Sequence, residues 1–137
     1  MKRRLLIVDG SRTVRRLLER QLSRAGWQVE CAGSANQALA KLTRGNYDLV
    51  TTGLQLPDEP GELFAAALRA MRAYRDVPLV VLSGDADAAA RLDPGLRVAA
   101  VLDKRAGPAV LAAQLQEILD RLPAPETTPP LPQQLSA

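Results

Sequence analysis

Five short apolar runs punctuate the chain, each closed by glycine, serine or aspartate, and amphipathic stretches separate them. Arg4-Leu5-Leu6-Ile7-Val8 is apolar from its second residue and stops at Asp9-Gly10, the pattern of a strand covered on both faces. From Ser11 to Ala25 the apolar residues Val14, Leu17, Leu18 and Leu22 form one helical stripe, and Gly26 stands where a C-terminal cap belongs. Trp27 to Ala32 reads as a second, half-exposed strand. Ser34-Ala35-Asn36-Gln37 has capping-box spacing and opens a helix carrying Ala38, Leu39 and Leu42, ending near Arg44-Gly45. Leu49 to Thr52 is the third strand. A loop from Gly53 to Gly61 holds Pro57 and Pro60, and a helix follows through roughly Tyr74. Leu79 to Leu82 and Val98 to Leu102 are the fourth and fifth strands, with a short alanine-rich helix around Ala86 to Leu92 between them. Gly107-Pro108 opens a last helix with the stripe Leu111, Leu115, Ile118, Leu119 and Leu122.

Strands alternating with helices predict right-handed crossovers and a mostly parallel sheet covered on both sides. Function in such sheets gathers at the carboxyl ends of the strands. The residues there are Asp9-Gly10, Gly53, Ser83-Gly84 and Asp103-Lys104. After Leu122 the composition changes: Pro123, Pro125, Pro129, Pro130 and Pro132 fall among Thr, Gln and Ser. Residues 1–122 are therefore expected to form one domain. Residues 123–137 are expected to form a Pro-rich flexible tail or linker.

Composition mainly removes possibilities. The chain has 137 residues, no histidine and one cysteine, Cys31, which excludes imidazole ligands, Ser-His triads, internal disulfides and cysteine metal sites. No apolar run approaches the roughly 20 residues of a membrane span, and the start Met-Lys-Arg-Arg leads into a strand rather than an export signal, so a cytoplasmic location is expected. Net charge is +3, with arginine far outnumbering lysine. Arg12, Arg16, Arg20 and Arg24 follow i, i+4 spacing, which a solvated face accounts for; no docking motif makes direct nucleic-acid binding the expectation.

The strand ends carry a resemblance. Leu5-Leu6-Ile7-Val8-Asp9-Gly10-Ser11-Arg12-Thr13-Val14-Arg15-Arg16-Leu17-Leu18 resembles the opening of response-regulator receiver domains. Tyr47-Asp48-Leu49-Val50-Thr51-Thr52-Gly53-Leu54-Gln55-Leu56-Pro57 with Gly61 resembles their phosphorylation loop. Val81-Leu82-Ser83-Gly84 and Leu102-Asp103-Lys104 resemble their fourth and fifth strand ends. The resemblance implies a flavodoxin-like (βα)5 doubly wound parallel sheet in the order 2-1-3-4-5. It also implies the family's chemistry: a histidine kinase passes a phosphoryl group to an aspartate. Magnesium sits between that aspartate and acids after the first strand, and a Ser/Thr and a Lys contact the phosphoryl oxygens.

Carried over residue by residue, the match is incomplete. Asp9 takes the first acidic position, but Gly10 takes the second and Gly53 the phosphoacceptor position. Ser83 and Lys104 fit the hydroxyl and lysine positions. Val101 stands at the aromatic switch, and Arg105 follows the lysine where the family has proline, so a trans bond is expected there. A glycine cannot form an acyl phosphate, and one carboxylate is a poor magnesium site. Lys104 is expected to pair with Asp9.

These departures predict a degenerate receiver that is not an enzyme, binds no cofactor or metal, and signals by protein–protein contact with an output domain, kinase or other regulator. The surface expected from the resemblance is the fourth helix, fifth strand and fifth helix, which also suits a homodimer. Two alternatives stand beside it: a phosphoacceptor using a displaced acid, Asp58 or Asp85, and a small-anion sensor holding its ligand with Lys104, Arg105 and Ser83. Asp48 lies before the third strand, at its far end from the crevice.

Overall fold

The computed structural model describes residues 3–85 and 87–122. Five strands, Arg4–Val8 (β1), Gln28–Ala32 (β2), Leu49–Gly53 (β3), Leu79–Ser83 (β4) and Ala100–Asp103 (β5), form one sheet in the order 2-1-3-4-5, every pair parallel. Five helices connect and cover them: Arg12–Arg24 (α1), Ala35–Arg44 (α2), Gly61–Ala70 (α3), Ala88–Arg91 (α4) and Pro108–Arg121 (α5).

Side chains alternate along each strand, so the sheet builds two cores. Leu5 and Ile7 of β1, Leu49, Val80 and Leu82 pack with Leu18 and Leu22 of α1 and Leu111, Leu115 and Leu119 of α5. Leu6, Val8, Val50 and Leu79 pack on the other face with Ala38 and Leu42 of α2 and Phe64 and Leu68 of α3. Burying each such side chain contributes roughly 1.5–3 kcal/mol, which explains why the central strands read as continuous apolar runs.

Local signals operate as their chemistry requires. The Ser11 side chain accepts from Val14 N at the start of α1. At its end, Gly26 adopts φ +101°, Gly26 N donates to Ser23 O and Trp27 N to Leu22 O, a Schellman closure. Trp27 belongs to that closure, so β2 begins one residue later than predicted. Ser34 accepts from Gln37 N, while Gln37 Oε1 reaches back to Gly33 N at 2.9 Å. Arg3 clamps the end of α5, donating to the carbonyls of Leu119 and Leu122.

Three further boundaries differ from expectation. The third helix stops at Ala70, and Arg72–Tyr74 is a 3-10 turn. Tyr74 swings inward there, its hydroxyl donating to Leu42 O at 3.0 Å, a position that a continuing α-helix does not supply. The fifth strand starts at Ala100, because Arg97 takes a left-handed φ of 51° and delays entry to the sheet. The fourth helix comprises only Ala88–Arg91, followed by a 3-10 turn at Pro94–Leu96; Ala86 lies outside the described residues. The predicted tail, 123–137, also lies outside them. No helix among the described residues is long and apolar enough to cross a membrane.

Candidate functional site

The carboxyl ends of β1, β3, β4 and β5 converge on one crevice, and the residues at those ends meet there. Asp9 is 1% exposed. Its Oδ1 accepts from Ser11 N at 2.8 Å, and Oδ2 lies 2.8 Å from Lys104 Nζ. The ammonium approaches off the line of a directed hydrogen bond, which leaves Oδ2 with an ionic neighbour and no hydrogen-bond donor. The lysine side chain remains 27% exposed, so its head bridges the interior and solvent. The pairing predicted between these two residues is present.

Gly53 is the last residue of β3 and is buried against that pair. A Cβ placed on it would stand 3.1 Å from Asp9 Oδ2 and 3.5 Å from Lys104 Nζ. The space beside the missing side chain therefore belongs to the ion pair. Gly10 faces the loop after β3, where a Cβ would lie 3.3 Å from Gln55 O and 3.6 Å from Pro57 Cδ. Gly61 is the most constrained: a Cβ there would come within 1.9 Å of Gly53 O, so α3 begins directly against the end of β3.

Ser83 ends β4 with its hydroxyl turned to backbone, accepting from Asp85 N at 3.0 Å. It lines an open cleft of about 430 Å³ with Lys104, Gly84, Gln55, Glu62 and Arg91. Arg91 is ion-paired with Asp85, and Arg105 with Asp103 at 3.0 Å, so these neighbouring cations already have anions. The described residues contain no cis peptide bond, and Lys104–Arg105 is trans as expected. Val101 is half-buried and turns away from this cleft. It lines a different one, also about 430 Å³, with Leu92, Pro94, Val98 and Ala100.

The two displaced acids have other roles. Asp58 accepts from Ala35 N and Asn36 N, both at 2.9 Å, so it ties the loop after β3 to the first turn of α2. Those two donors hold its carboxyl below the usual range. The Asp85 carboxyl is likewise lowered, first by the Arg91 guanidinium and then by Asp87 N. Asp48 receives Arg4 N at 2.8 Å at the opposite end of the sheet. Two contacts carried no sequence signal: Arg15, which donates to Asp9 O at 2.6 Å, and the placement of Glu62 and Arg91 in the cleft. A side chain reaching a backbone carbonyl from a neighbouring element leaves no periodic trace.

A five-stranded parallel sheet wound 2-1-3-4-5, with polar residues at its carboxyl edge, defines a flavodoxin-like doubly wound domain. The family model for the response regulator receiver domain matches residues 5–116, and the chain belongs to that family. Its fold is similar to the chemotaxis response regulator CheY4 of Vibrio cholerae, with TM-score 0.79 and 25% identity over 86% of this chain and 99% of that one. It is 31% identical over 121 residues to the transcriptional regulatory protein GltR of Pseudomonas aeruginosa, covering 87% of this chain and 50% of GltR. It is 29% identical over 123 residues to the probable transcriptional regulator ycf27 of Porphyridium aerugineum, covering 88% of this chain and 50% of that protein. The chain thus spans half the length of these two curated relatives. It is a receiver domain of the two-component response-regulator type.

Proposed function

We propose that this receiver domain signals without accepting a phosphoryl group, through contacts with a protein partner in the cytoplasm. The observation that carries the reading is the closed pair of Asp9 and Lys104 across Gly53: the phosphoacceptor position has no carboxylate, and the lysine already has an anion at 2.8 Å. An acyl phosphate requires a carboxylate nucleophile, and glycine supplies none. The donor set does not fit magnesium either. Asp9 is the single carboxylate at the pair, Gly10 and Gly53 add nothing, and among the described residues no three acidic, histidine or cysteine side chains converge.

Both displaced acids are poorly suited to replace it, since Asp58 uses both oxygens to cap α2 and Asp85 is held by Arg91. An anion entering the cleft would have to compete with the partners of Lys104, Arg91 and Arg105. The contact surface in this reading is α4, β5 and α5, for an output domain, a kinase or a second copy. Three features support it: β5 is an edge strand whose Ala100, Val101 and Leu102 are only half-buried, α4 covers little of it, and Val110 of α5 is 46% exposed. The tail, 123–137, would tether an output domain or a partner-binding segment.

Intact-mass measurement after incubation with Mg²⁺ and a small-molecule phosphodonor tests the reading, with an ordinary receiver treated in parallel. The expected result is an adduct on the control and none here. A Mg²⁺-dependent phosphoryl adduct on this chain overturns the proposal; its loss in Asp58→Asn or Asp85→Asn would then identify the substitute acid.

A further inference from the structure

We infer that the cavity at the amino end of β1 is a carboxylate site that the chain's own tail fills, with Glu126 as its anchor. Arg4, Glu30, Lys41, Arg44, Gly45 and Tyr47 line about 250 Å³ there, at the end of the sheet away from the crevice. Three cations against one acid leave the cavity a net +2. Glu30 is already shared: it accepts from Arg4 Nη2 and from the Tyr47 hydroxyl at 2.9 Å, and Lys41 Nζ stands 3.6 Å away. Arg4 Nη1 is left without an acceptor, and exposed Arg44 has no hydrogen bond or ion pair among the described residues.

The Arg4 guanidinium is nevertheless held in place. It lies over the Tyr47 ring, 4.8 Å from the centroid, and a Cβ at Gly45 would come within 2.9 Å of Nη1, so the missing side chain gives the guanidinium its room. A positioned guanidinium with a spare donor, beside an unpaired arginine, is an arrangement that receives a carboxylate.

The tail supplies one. Residues 123–137 contain a single charged group, Glu126. The chain leaves α5 close to the cavity, because Arg3, the neighbour of Arg4, donates from Nη2 to Leu122 O at 2.9 Å. Arg3 serves the α1–α5 face of the sheet and Arg4 the α2–α3 face, so the tail has to round the amino end of β1. Four residues, at the roughly 3.1 Å each that proline-rich sequence favours, cover about 12 Å before the glutamate side chain begins. A lone carboxylate binds so solvated a site weakly from free solution, but a tether this short holds it at an effective concentration on the order of millimolar. Glu30 also selects the ligand, since its charge repels a dianion such as phosphate more strongly than a single carboxylate. Docking directs whatever follows Glu126 away from α5 and toward α2, whether or not the crevice accepts a phosphoryl group.

Paramagnetic broadening reads the contact, with a nitroxide on Thr128→Cys in a Cys31→Ser background of the full chain and the amide signals of residues 41–47 recorded by NMR. The expected result is a loss of at least about half their intensity, recovered in Glu126→Gln and in about 0.5 M NaCl. Arg44→Glu should also release the tail, and Arg44→Glu/Glu126→Arg should restore the broadening. Arg72→Glu, at an exposed site off the cavity, should leave it unchanged. Broadening indifferent to Glu126→Gln, a charge swap that does not restore the contact, or inorganic phosphate shifting these signals equally with and without Glu126 would each overturn the proposal.

Discussion

Replacing Lys104 with methionine isolates the central pair. Methionine keeps most of the lysine's length and apolar contact but removes the charge 2.8 Å from Asp9 Oδ2. Asp9, 1% exposed, cannot turn to water, and only Ser11 N would still serve its carboxylate. Breaking a fully buried pair costs about 3–5 kcal/mol. Because the lysine side chain is 27% exposed and partly screened, we expect about 2–4 kcal/mol here. For a domain of this size that lowers Tm by about 6–20 °C. The reverse single change, Asp9→Asn, should cost less, since a freed lysine reaches solvent along its stem. In the double variant the buried charge is gone, and stability should recover relative to Lys104→Met. Urea denaturation followed by Trp27 fluorescence, assembled into a double-mutant cycle, measures the coupling. A Lys104→Met cost below about 1 kcal/mol, or strictly additive single changes, would refute the claim that the two side chains form one buried unit.

Individual contacts lead to further expected outcomes. Gly61→Ala puts a methyl carbon 1.9 Å from Gly53 O and should destabilise the fold by at least about 3 kcal/mol or abolish it, read by thermal melting. Thr51→Val should be neutral or stabilising by up to about 1 kcal/mol, because Thr51 Oγ1 is buried without a hydrogen-bond partner among the described residues. Burial, and then the neighbouring Glu19, push the Cys31 thiol up to about 12 from an ordinary 9.0, so its alkylation near pH 8 should run much more slowly than in the denatured chain. The same shift adds stability that is full below pH 9.0 and declines as pH rises toward 12. Asp58 has the opposite sense: its lowered carboxyl stabilises the fold above an ordinary 3.8, and that contribution disappears as pH falls through the lower folded value. Asp58→Ala should accordingly flatten the acid limb of a stability–pH curve.

The sheet was legible because its cause is local and repeated. Leu5 to Val8, Leu49 to Val50 and Leu79 to Leu82 are apolar on both faces, as a doubly covered parallel strand requires. Caps at Ser11, Gly26 and Ser34 arise from hydrogen bonds made within a few residues, so their sequence signals suffice. The end of α3 was not legible, because Tyr74 is placed by carbonyls near the end of α2, some 30 residues away in the chain. The late start of β5 depends likewise on the conformation at Arg97.

At the candidate site, residue identity alone sets which groups are available: Asp9, Ser83 and Lys104 present, and no side chain at Gly10 or Gly53. How they are used follows from the folded arrangement. It sealed Asp9 against Lys104, gave the space beside Gly53 to that pair, and committed Asp58 to a helix two elements back. The difference is one of range: residue identity and short-range periodicity are written along the chain, whereas the neighbours of a buried charge come from strands brought together only when the sheet closes.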